Sequence, residues 1–135
     1  MAKIFLFFLI IAFGLFSCKS NKTDEINESK KETIDTNIAD AKKMIDKIQQ
    51  YTKVVTQATE DKKLNDIEIK QIEKLSQEFD ALEKEINEKY SDDIEGKAIM
   101  EKYMEDNKAE LEKIYEEFFI AMMMLYECEG AEKLE

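Results

Sequence analysis

The chain has 135 residues, a formal net charge of −11 and no histidine, and its twenty basic residues are all lysine. Missing histidine removes Ser-His-Asp and Cys-His catalysis and the commonest metal ligand, and missing arginine removes the bidentate phosphate clamp. The length suits one small domain, and the acidity opposes nucleic acid as a partner.

The chain opens with one lysine, Lys3, followed by an apolar run from Ile4 to Phe16. That run is too short to span a bilayer, which takes about 20 residues. It has the proportions of the hydrophobic region of a secretory signal peptide. Its end, Leu15-Phe16-Ser17-Cys18, resembles the lipobox of bacterial lipoproteins, with Phe16 bulkier than the usual residue two before the cysteine. The resemblance implies a diacylglycerol on the Cys18 sulfur, cleavage between Ser17 and Cys18, and a mature chain held on a membrane by lipid. Two or three acyl chains hold a protein stably where one does so only marginally. Residues 1–17 are therefore read as a signal peptide, and the membrane as a partner through the lipidated N-terminus.

Residues 18–33 follow as a lipidated N-terminus and flexible tether. They are polar and charged, with Ile26 the one aliphatic side chain. Such a stretch buries too little apolar surface to order itself. The segment Lys22-Thr23-Asp24-Glu25 resembles the tether signal that sends some Bacteroidota lipoproteins to the cell surface. Lys19 stands where some inner-membrane lipoproteins carry a retaining aspartate, so the expected location is the cell envelope, periplasmic or surface-exposed, leaning to the outer membrane.

From Ile34 the pattern becomes helical. Ile34, Ile38, Ala41, Ile45, Ile48, Thr52 and Val55 alternate spacings of four and three, with Met44, Tyr51 and Ala58 widening the stripe. That predicts a helix over about 34–59. Asn65 and Glu68 form a capping box that opens a second helix, about 65–90, with Ile72, Leu75, Phe79, Leu82 and Ile86 on one face. Asp92 with Glu95 offers a box for a third, about 95–128, striped by Met100, Met104, Leu111, Ile114, Phe118, Ala121 and Leu125. Gly130 suits a C-terminal cap, and residues 129–135 are expected to fray. The expected fold is all-α, an up-down-up antiparallel three-helix bundle over 34–128. A long helical hairpin is the competing topology.

Three features invite chemistry. The turn from Gln57 to Glu68 resembles a degenerate EF-hand calcium loop, but its first ligand position is Gln57 and its turn glycine is Lys62. Met100, Met104, Met122, Met123, Met124 and Cys128 are soft ligands of the kind Cu(I) selects, yet consecutive methionines diverge by about 100° around a helix. The acidic pairs read as solvated charges on polar faces. No metal or other cofactor is expected.

Phe118 to Tyr126, FFIAMMMLY, is apolar all round the helix. Either the end of the first helix and the start of the second wrap it, or part remains exposed as an adaptable binding patch. Phe119, Met123 and Tyr126 are the candidate partner-binding residues. The expected function is a non-enzymatic, membrane-anchored lipoprotein that binds another envelope or extracellular protein or occupies the envelope surface. The alternative is a small-ligand or metal-ion carrier with its site in the bundle.

Overall fold

The computed structural model describes residues 28–134, with side-chain surroundings from residue 34 onward. The segment read as a signal peptide, Ser17, Cys18 and most of the stretch read as a tether lie outside the described residues.

Four helices form the bundle, not three. They are α1 (Glu28–Ala58), α2 (Asp66–Tyr90), α3 (Ile94–Asp106) and α4 (Lys108–Tyr126), followed by a 3₁₀ turn at Ala131–Lys133. The central element is α1, which packs against α2, α3 and α4. Its 31 residues make a rod of about 46 Å at 1.5 Å per residue. α2 returns antiparallel to it. α3 and then α4 run back alongside α1, one after the other.

The three-helix expectation fails at Asn107. The apolar spacing Met100, Met104, Leu111, Ile114 passes through this position without a change of period, so the pattern reads as one helix. The Asn107 side chain breaks it. Its Nδ2 donates to the Tyr103 carbonyl at 2.8 Å, competing with its own backbone N–H, which reaches the same oxygen at 3.2 Å. Asparagine bonds locally to backbone in this way, and that is why it is poor inside helices. The residue rests at φ −109°, ψ 18°, outside the helical region, and ends α3 while opening α4.

Capping follows the sequence at one helix and departs from it at the next. The Asn65 side chain accepts from Ile67 and Glu68 backbone N–H, and Glu68 accepts in return from the Asn65 N–H at 2.8 Å. At α3 the cap is Asp93 rather than Asp92: its Oδ1 accepts from the Gly96 N–H at 2.8 Å. Gly96 is needed there, because a Cβ would lie 2.3 Å from Asp93 Oδ2 and 2.8 Å from the Tyr90 ring.

α1 begins at Glu28 rather than at 34, and its buried seam is Asn37, Ala41, Met44, Ile48, Tyr51, Val55 and Ala58. The centre of its face thus sits one position from the stripe through Ile38, Ile45 and Thr52, which are only partly covered. A helix flanked by three others buries a face wide enough to take in both rows.

The core has two clusters. One, at the α1–α2 corner, joins Tyr51, Val55, Leu64, Ile72, Leu75, Ala121, Met122, Leu125 and Cys128. The other joins Met44, Ile48, Phe79, Ile86, Tyr90, Leu111 and Ile114. Phe118 packs against both, and its ring lies 5.9 Å from that of Tyr51.

The tail is tied to the corner. The Leu64 N–H donates to the Glu129 carbonyl at 2.9 Å, and the Glu129 N–H donates to the Lys62 carbonyl at 3.0 Å. Ala131 and Leu134 then pack on the corner cluster. The helical C-cap of α4 is Glu127, while Gly130 takes φ 96° two residues beyond the cap's neighbour Cys128 and lets the tail pass close to Leu64.

Candidate interaction surface

The apolar run on α4 divides by position around the helix. Ala121, Met122 and Leu125 are buried, and Phe118 and Met124 are half-buried. Phe119, Ile120, Met123 and Tyr126 are 51%, 51%, 52% and 54% exposed. At about 100° per residue, positions 119, 123 and 126 fall on one face, with 120 on its border. The structure therefore brings the three candidate residues together on one side of α4 and adds Ile120, which the sequence reading did not single out. Scattered exposed apolar side chains are ordinary, and four within two turns form a patch.

The patch lies along the axis between acids. Glu112 and Glu116 precede it and Glu127 follows it, all exposed. Lys108 pairs with Glu112 at 3.7 Å, and Lys113 pairs with Glu117 at 3.9 Å on another side of the helix. Behind the patch lies Tyr51, whose hydroxyl is pushed up to about 12 by burial first, and then by Tyr126 and by Asp80 of α2. A phenol so placed stays neutral across the physiological range.

The sequence-suggested ion sites do not assemble. In the turn resembling a calcium loop, Lys62 adopts φ 60°, the conformation a turn glycine would take. Asp61 Oδ1 accepts from the Lys63 N–H, and Glu68 is committed to its cap. Strand-like pairing of Lys63 with Glu129 occupies the flank. Among the described residues no group of three or more histidine, cysteine, aspartate or glutamate side chains is arranged to hold a metal. Met122, Met123 and Met124 are respectively buried, exposed and half-buried, so their sulfurs do not converge.

One polar cluster was not singled out from sequence. Asn37 and Asp40 are buried in α1 beside Tyr90 at the end of α2. The Tyr90 Oη lies 2.8 Å from Asn37 Oδ1 and 2.9 Å from Asp40 Oδ2. Lys89 also bonds to Asp40 Oδ2, and Lys43 reaches Oδ1 at 3.2 Å. One phenolic proton cannot serve two acceptors, and the carboxylate is the stronger. Asn37 Nδ2 is buried without a hydrogen-bond partner among the described residues. Turning the amide over lets Nδ2 donate to the Tyr90 oxygen and leaves the phenolic proton to Asp40. Burial raises the Asp40 pKa, but bonds from Lys89, Tyr90 and Lys43 outweigh it and hold the carboxyl below its ordinary 3.8. The cluster joins the N-terminal half of α1 to the end of α2. The sequence signal for it was a pair of polar residues, i and i+3, inside an apolar seam.

Cys128 is buried, and burial, then the nearby Asp61 and Glu127 charges, push its thiol pKa up. Among the described residues, no helix is long and apolar enough to cross a membrane. Compared with known proteins, the chain matches no family model, no curated protein and no solved structure.

Proposed function

We propose that this protein is a non-enzymatic lipoprotein, anchored by lipid on Cys18, whose helical bundle binds another protein of the cell envelope through α4. The observation that carries the reading is the half-exposure of Phe119, Met123 and Tyr126 together on one helix face, beside the buried Ala121, Met122 and Leu125. Aromatic and methionine side chains supply adaptable contact area, and such residues are enriched in interface cores. The lipobox-like Leu15-Phe16-Ser17-Cys18 supports the anchor, and the polar stretch after it supports a domain held off the bilayer.

The anchor is tested by mass spectrometry of the native, membrane-extracted protein beside Cys18→Ala. A mass starting at Cys18 plus acyl chains, lost in the variant, is expected; an unlipidated Met1 start overturns the anchor. The binding face is tested with Phe119→Ser/Met123→Ser, which should keep wild-type helicity and lose specific cross-links to envelope proteins. Unchanged cross-links in a folded variant overturn the α4 reading.

A further inference from the structure

We infer that the occupant of the α4 face is a basic amphipathic α-helix of a partner protein, with lysine or arginine bracketing its apolar stripe. The inference rests on the binding role proposed for α4 and adds the chemistry of the partner.

The geometry is a bracket. Glu116 stands seven residues before Met123, in the same column of the helix, and Glu127 stands four after it. The two carboxylates are eleven residues apart, about 16 Å along the axis. Between them lie Phe119, Ile120, Met123 and Tyr126, all at least half exposed. Lys108 and Lys113 are engaged with Glu112 and Glu117, and no described lysine stands within ion-pair distance of Glu116 or Glu127.

An apolar helix face about two turns long takes a helix laid along it, anchored at i, i+3 or i+4, and i+7. Acids at both ends select the sign of that helix. Complementary charge at a rim raises the association rate and rejects wrong partners. A second copy of this chain fails the same test. Laid antiparallel on α4, its Glu127 meets Glu116, and laid parallel, like residues face each other. An anionic membrane surface is repelled for the same reason, by a chain carrying −11 overall.

The test uses the full chain in neutral detergent and two synthetic helical peptides of about four turns. Both carry the same leucine stripe; one has lysines at its two ends and the other has glutamates. The lysine-bracketed peptide should bind, and the glutamate-bracketed one should bind at least roughly tenfold more weakly at low salt. Glu116→Lys/Glu127→Lys should reverse that order while keeping the helical signal of the wild type. Raising the salt should shrink both differences. Equal binding of the two peptides, no binding of either, or an order unchanged by the double charge reversal overturns the inference. So does dimerisation or uptake by anionic phosphatidylglycerol vesicles that depends on Met123 and exceeds binding of the lysine-bracketed peptide. Failure here is distinguishable from failure of the binding role itself: Phe119→Ser/Met123→Ser still abolishes envelope cross-links if only the partner's charge is wrong.

Discussion

The Tyr90 hydroxyl sits 2.9 Å from the Asp40 carboxylate, a contact between the last turn of α2 and the N-terminal half of α1. Fifty residues separate them in the chain. Tyr90→Phe removes the bond and leaves the buried carboxylate short of a donor. The expected loss is about 2 kcal/mol, the range for a hydrogen bond to a charged group, measured by urea unfolding.

The same carboxylate sets an acid limb. Its folded pKa is held below the ordinary 3.8, so its stabilising contribution is complete above that value and is lost as pH falls through the folded pKa. Asp40→Asn should be less stable than wild type at neutral pH, and the gap should narrow on acidification below about pH 3.8. A gap that stays constant with pH would show that the charge contributes nothing.

Asn107 breaks the third rod by its side chain. Asn107→Leu removes the competing Nδ2 donor and places a good helix former in the apolar seam. Fusion of α3 and α4 should raise the far-ultraviolet helical signal and stabilise the fold by about 1 kcal/mol. A break that survives the substitution, seen as unchanged amide exchange around residue 107, would assign the kink to packing instead.

Gly130 holds the tail. It takes φ 96°, and a Cβ there would lie 3.0 Å from the Leu64 carbonyl oxygen. Gly130→Ala should cost roughly 1–2 kcal/mol and speed amide exchange at Leu64 and Glu129, the two residues that bond across the corner.

Cys128 reports on the same region. Its burial and raised pKa make the thiolate scarce at neutral pH. An aromatic disulfide reagent should label it only after unfolding, and faster in Gly130→Ala than in wild type. Rapid labelling of the native protein would place the tail off the corner.

Much of this architecture is legible locally. The apolar spacing of α2 runs through Ile72, Leu75, Phe79 and Ile86, and those residues are buried. Asn65 and Glu68 cap as their spacing of three requires, because a capping box involves only one turn of backbone. The break at Asn107 was not legible, because the apolar period continues across it and the competing bond belongs to a single side chain.

The sequence alone therefore determined the helical class, the polar and apolar faces and the turn near residues 59–65, all of which depend on neighbours within one or two turns. Tertiary structure decided the rest. Only packing could divide the nine apolar residues of 118–126 into buried Ala121, Met122 and Leu125 and half-exposed Phe119, Ile120, Met123 and Tyr126. A run that is apolar on every side carries no periodicity, so its buried face is whichever one the neighbouring helices cover. The Asn37–Asp40–Tyr90 cluster is the same lesson for polar groups: polar residues in an apolar seam are tolerable only when a distant segment supplies their hydrogen bonds.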